Sequence, residues 1–306
     1  MTQPLFDKQN LPLTETNNAN TRDIDALDRT EMLKRINAED ATVAQVVAAA
    51  IPEIAQAVDA IVLRMRRGGR LIYVGAGTSG RLGVVDASEM PPTFSVPHGL
   101  VVGLIAGGRE AMFTSLEGAE DEPERGAADL QALAVGQDDC VVGIAASGRT
   151  PYVVGALGEA NARGALTISL ACTGQPAPVH GCASINIALL TGAEVLTGST
   201  RLKAGTATKL ALNMMSTSVM IQLGKTFGNL MVDVQPSNVK LKDRARRIIE
   251  AATGVSADEA QRLLDESGEV KTAIVCGLKG ISVDEARARL RRAGGRVREA
   301  LRDEAV

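Results

Sequence analysis

Aromatic residues are scarce in this chain of 306 residues: they make up 2%, and tryptophan is absent. Stacking platforms for single-stranded nucleic acid or for glycan chains therefore have little to be built from. Histidine is almost as rare, with only His98 and His180. A histidine-rich metal site and a Ser-His-Asp triad are both disfavoured on that count. A net charge of −3 supplies no basic field, which speaks against nucleic acid and anionic membranes as partners. The four cysteines, Cys140, Cys172, Cys182 and Cys276, form no C-x-x-C pair and read as reduced, packed thiols of a cytoplasmic protein. No basic stretch followed by an apolar core opens the chain, so no signal peptide is expected. No membrane span is expected either, because the apolar stretch near 46–63 is interrupted by Pro52, Glu53 and Asp59.

What is present is apolar bulk, 45% of residues, enough for a large core. Residues 1–22 are polar and Asn/Thr-rich and read as a flexible or partner-bound arm. A short helix is expected over 23–37. A second is expected from Val47, where Val47, Ile51, Ile54, Val58, Ile61 and Met65 step by three or four, with Pro52 starting or kinking it. An alternation of strand, glycine- or hydroxyl-rich loop and helix then begins. Strands are expected at 71–74, 100–106, 140–145, 165–171 and 184–188, with helices after each of the first three, including one through about Leu116. This spacing predicts an α/β fold with a parallel sheet and helices on both faces. Lys203 to about Leu223 reads as a long buried helix. Beyond about Val239 the chain turns charged and helical. Two S-x-x-E capping boxes, Ser256–Glu259 and Ser282–Glu285, open similar segments there.

The apolar run at 71–74 leads into Gly75-Ala76-Gly77-Thr78-Ser79-Gly80, which fits G-x-G-x-x-G. A dinucleotide site would also need an acid at the end of the second strand, and Gly103–Gly108 holds none. Two further loops carry hydroxyls: Ser147 and Thr150 after the third strand, Ser199 and Thr200 before the long helix. Three such loops at strand ends and helix starts suit one phosphate, with backbone N–H groups pointing at the anion and Thr78, Ser79, Ser147, Thr150, Ser199 and Thr200 completing the cage. Two acidic places stand out. Glu89 precedes Pro91-Pro92, and the prolines are expected to stop the helix and leave Glu89 in its last turn. Glu120 belongs to a run of acids before Pro123, which suits the first turn of a new helix.

Several long motifs occur in order: GAGTSGRLGVVDASEMPPTF, GLVVGLIAGG, EGAED, VVGIAASGRTPYV, GAEVLTGSTRLKAGTATKLALNM and KTFGNLMVDV. Together they resemble the N-acetylmuramic acid 6-phosphate etherases, from about Asp23 through the C-terminal helices. The resemblance implies a sugar isomerase (SIS) domain, a flavodoxin-like three-layer α/β/α sandwich, over 23–239. It implies a small helical, UBA-like domain over 240–306, of the kind shared with glucokinase regulatory proteins. It further implies a cytoplasmic homodimer that cleaves the D-lactyl ether of N-acetylmuramate 6-phosphate in cell-wall recycling, by elimination and then hydration. No cofactor or metal is implied. The family's catalytic glutamates match Glu89 and Glu120, and Met90 stands where relatives often have Cys. Two other activities fit the same fold: a non-catalytic phosphosugar-sensing regulator and an aldose–ketose phosphate isomerase.

Overall fold

Five apolar runs become strands, and their burial accounts for their composition. In a computed structural model that describes residues 11–174, 176–234 and 239–302, β1 (Leu71–Gly75), β3 (Cys140–Ile144) and β4 (Leu166–Ala171) are buried along their whole length. Strands covered on both faces read as unbroken apolar runs, as β1 and β3 do, whereas β4 also buries Thr167 and Ser169 with their hydroxyls hydrogen-bonded to Asn161 and Asn186. With β2 (Val101–Ile105) and β5 (Ile185–Ala188) they pair in parallel, in the order β2-β1-β3-β4-β5. The order reverses between β1 and β3, and ligands of such sheets bind in the crevice beyond the strand ends at that point.

Ahead of the sheet come α1 (Arg29–Asp40), α2 (Val43–Ala49) and α3 (Ile51–Met65). The helix expected over 23–37 starts only at Arg29, because the Asp28 carboxylate caps it by accepting from the N–H groups of Thr30 and Glu31. Pro52 sits in the first turn of α3, as expected. Between and after the strands lie α4 (Gly77–Phe94), α5 (Pro123–Ala132), α6 (Pro151–Ala162), α7 (Pro178–Gly181) and α8 (Lys203–Gln222). No α-helix runs from Gly108 to Leu116; a 3-10 turn over Gly108–Met112 stands there, entered through Gly107 at φ +84°. The C-terminal part holds a small hairpin, β6 (Thr226–Phe227) and β7 (Leu230–Met231), then α9 (Val239–Thr253), α10 (Ala257–Ser267), α11 (Val270–Lys279), α12 (Val283–Arg292) and α13 (Val297–Ala300). Both capping serines act as read: Ser256 accepts from the N–H of Glu259 and Ser282 from that of Glu285.

Residues 11–88 with 99–216 form one compact unit, and 89–98 with 217–302 form a second. This division differs from one at residue 239. Val232 belongs to the core that Ala245, Ile249, Leu264, Ile274 and Leu290 build, so the hairpin goes with the helices that follow it. Of the expected N-terminal arm, residues 1–10 lie outside the described residues. Residues 11–22 are held: Thr14 is fully buried and accepts through its carbonyl from the N–H of Gly198, while the Thr21 hydroxyl donates to the Val195 carbonyl. All four cysteines are free thiols, and burial pushes those of Cys140 and Cys172 up to about 12. Among the described residues no single helix is long and apolar enough to cross a membrane.

Candidate active site

The G-x-G-x-x-G stretch is explained first by packing. A Cβ on Gly75 would stand 2.7 Å from the Gly80 nitrogen, and one on Gly80 would stand 2.6 Å from Ile105 Cγ1. One on Gly103 would reach within 2.5 Å of Val84 Cα. The backbone of α4 therefore lies directly on β1 and β2, closer than any side chain at these positions would allow. Gly77 enters α4 at φ +52°. Among the described residues the N–H groups of Gly77, Thr78 and Ser79 have no protein acceptor, whereas Gly80 donates to the Ala76 carbonyl. The half-buried Thr78 and Ser79 hydroxyls sit on the same turn. An open first turn with hydroxyls is a seat for an anion.

The other two loops are knitted to this one. Cys172, just past β4, donates its N–H to the Ala146 carbonyl, and its Sγ lies 3.6 Å from the Ala204 carbonyl in the first turn of α8. A Cβ on Gly205 would stand 3.5 Å from both Thr78 Cγ2 and the Thr200 carbonyl. In the loop after β3, the Arg149 N–H donates to the Ser147 hydroxyl, and Thr150 precedes Pro151 at the start of α6 without using its side chain as a cap. The three hydroxyl loops thus meet at the C-terminal edge of the sheet.

The start of α8 is not free. Glu194, fully buried, accepts from the N–H groups of Lys203 and Ala204 at 2.9 Å each. Gly205 donates to the Thr200 carbonyl. A carboxylate of the protein already holds the anion position of this helix, so Ser199 and Thr200 can offer hydroxyls but not the α8 first turn. Nothing local marks Glu194 in the sequence, because it lies nine residues before the helix it caps, far outside capping-box spacing. Glu194→Ala leaves two buried N–H groups unpaired and should cost about 2–4 kcal/mol in urea unfolding. Glu194→Gln retains one acceptor and should lose about half as much. Equal and negligible losses in both would show that the cap carries no stability.

On the β2 side of α4 lies a cavity of about 370 Å³ at the ends of β1 and β2, lined by Gly77, Arg81, Ala106, Ser115, Glu117 and Glu120 among others. Glu120 is exposed, on a 3-10 turn over Ala119–Asp121 between Gly118 at φ +79° and Glu122, the residue that precedes α5. Gly77 and Arg81 are four residues apart and share a face of α4, while Ser79 lies on the opposite face. Thr78, Ser79, Ser147, Thr150, Ser199 and Thr200 do not line this cavity. The hydroxyl cluster and the cavity with Glu120 therefore flank the start of α4 from two sides. Their spacing is held by α5 against α6: a Cβ on Gly126 would stand 1.9 Å from the Tyr152 carbonyl oxygen, and one on Gly155 would stand 2.0 Å from that of Pro123.

Glu89 is exposed on α4, in the stretch assigned to the second unit. The prolines do not stop the helix: α4 runs through Pro91 and Pro92 to Phe94. The prolines remove two N–H donors near its end, and the helix still closes there, with Ser95 donating to the Pro91 carbonyl. Glu89 is thus not in the last turn of α4, where the negative end of the helix dipole would disfavour a carboxylate. Along α4 Ser79 and Glu89 are ten residues apart, a rise of about 15 Å. One turn before Glu89, the buried Asp86 carboxylate accepts from the Tyr73 hydroxyl at 3.0 Å and from Lys209 Nζ at 3.2 Å. Burial and the neighbouring Asp86 charge hold the Tyr73 phenol well above its usual pKa. This network ties α4 to β1 and α8, and the sequence pattern carries no sign of it.

Residues 53–161 match the family model of the glucokinase regulatory protein N-terminal SIS domain. A Streptomyces coelicolor protein named N-acetylmuramic acid 6-phosphate etherase is 55% identical over 289 residues, 94% of this chain and 93% of its own. A Mesorhizobium japonicum protein of the same name is 52% identical over 300 residues, 98% and 97% of the two chains. Among solved structures, phosphoheptose isomerase GmhA from Neisseria gonorrhoeae aligns with a TM-score of 0.48 at 18% identity, covering 62% of this chain and 97% of that one. With an SIS-type parallel sheet and more than half its residues identical to an etherase along nearly its whole length, this chain belongs to the N-acetylmuramic acid 6-phosphate etherase family.

Proposed function

We propose that this chain cleaves the D-lactyl ether of N-acetylmuramate 6-phosphate, giving N-acetylglucosamine 6-phosphate and D-lactate, as a cytoplasmic homodimer in cell-wall recycling. The phosphate sits at the first turn of α4 with Thr78 and Ser79, and Ser147, Thr150, Ser199 and Thr200 close the cage. The sugar opens to its C1 aldehyde, which makes the C2 proton acidic. Glu120 removes that proton. The C3–O bond to lactate breaks, and Glu89 protonates the departing oxygen. The product is an unsaturated aldehyde, to which water adds: hydroxyl at C3, proton at C2. Two carboxyl groups suffice for every proton moved. Family membership supports this reading, and the observation that carries it is the open first turn of α4 between a hydroxyl cluster and a cavity bearing Glu120.

The test is release of D-lactate from N-acetylmuramate 6-phosphate by the purified protein, run in deuterated water. D-lactate with deuterium at C2 of the amino sugar is the expected result. Binding without release would mean a sensor, and formation of a ketose would mean an isomerase.

A further inference from the structure

Arg81 is a cation that no anion among the described residues pairs with. The side chain is half-buried in the cavity beside Glu120. Its Nε–H donates to the Met112 carbonyl at 3.2 Å and Nη2–H to the Ala111 carbonyl at 2.7 Å. Those bonds engage two of the five N–H groups of a guanidinium and lock its plane. Among the described residues its bonds are to the two carbonyls and to no carboxylate, although Glu117 and Glu120 line the same cavity. Carbonyl dipoles orient the group without neutralising it. A half-buried cation so held is poised for an anion from outside.

Two anionic ends are available on the substrate argued for above, a phosphate and the carboxylate of the lactyl group. The open N–H groups and the hydroxyls of Ser79 and its partner loops lie on the other side of the start of α4 and suit the phosphate. Arg81 faces the cavity that contains the proposed C2 base. We propose that Arg81 binds the lactyl carboxylate through its free N–H groups, and that it is the residue by which the protein tells a muramate from a glucosamine phosphate. The inference rests on the etherase reading. A planar fork already aligned by two carbonyls pairs with a carboxylate in a way that a lysine ammonium does not reproduce.

The experiment compares two ligands on wild type and Arg81→Gln: the KM for N-acetylmuramate 6-phosphate and the inhibition constant of N-acetylglucosamine 6-phosphate, which lacks the carboxylate. The variant should raise the first at least about tenfold and change the second by less than about twofold. Arg81→Lys should fall between. If both constants rise in step, Arg81 serves the phosphate or merely braces the 107–120 loop; if neither moves, it binds nothing. Either result overturns the proposal. Should the variants not fold, the wild type is assayed with the lactyl carboxamide analogue, whose equal affinity would be as damaging. A wild type that releases no D-lactate would count against the etherase reading alone. Direct binding titrations of the two sugars, on wild type and variant, would then still decide whether Arg81 reads the carboxylate.

Discussion

Glu89→Gln should lower kcat for D-lactate release by about two to four orders of magnitude, while KM stays within about threefold. A glutamine fills the same space and cannot give up a proton to the leaving oxygen. Glu120→Gln should lower kcat to a similar degree, but the two variants should part in deuterated water. With Glu120 intact, Glu89→Gln can still abstract the C2 proton, so the recovered substrate should carry deuterium at C2. Glu120→Gln should return it unlabelled. Label in both variants, or in neither, would reverse or remove the division of roles. Near-normal turnover in Glu89→Gln would end its part in the chemistry. Ser79→Ala provides the contrast, since the loss of a phosphate hydroxyl should appear mainly in KM.

A large loss of stability should come from Gly126→Ala. The added methyl would stand 1.9 Å from the Tyr152 carbonyl oxygen, which is backbone and cannot rotate away. Helices α5 and α6 would have to separate, at a cost of about 3 kcal/mol or more. Gly155→Ala should do the same from the other helix, against the Pro123 carbonyl. Gly158, also on α6, is the control: a Cβ there meets nothing within 4 Å. Gly158→Ala should be neutral or stabilising by up to about 1 kcal/mol, since it only removes backbone freedom within a helix. Urea melts of the three variants read the ranking directly. Equal behaviour at Gly126 and Gly158 would mean that α5 and α6 do not pack as described.

Legibility in the sequence follows the range of the physics. The strands at 71–75 and 140–144 could be read because burial on both faces demands unbroken apolar runs. The capping boxes at Ser256 and Ser282 could be read because donor and acceptor lie three residues apart. The hydroxyl loops could be read because helix starts and small residues mark them. Glu194 could not, since it bonds to a helix nine residues on. Asp86 and Arg81 could not, because their partners, Lys209 and the carbonyls of Ala111 and Met112, come from distant segments. The prolines at 91 and 92 gave a wrong helix end for a related reason. Two missing N–H donors are a local penalty, and near a helix terminus few bonds remain to be lost.

The second compact unit is made of two stretches of chain, 89–98 and 217–302, with the first arriving on the last turn and a half of α4. Such a unit is not inherited or exchanged as a cassette. A recombination point anywhere between 99 and 216 divides it, and a gene fusion that carried only the helices after 239 would leave behind Val232 and the hairpin that packs with them. A fragment that is to contain the whole unit must therefore run from 89 onward and carry every sheet residue that lies between the two stretches in sequence.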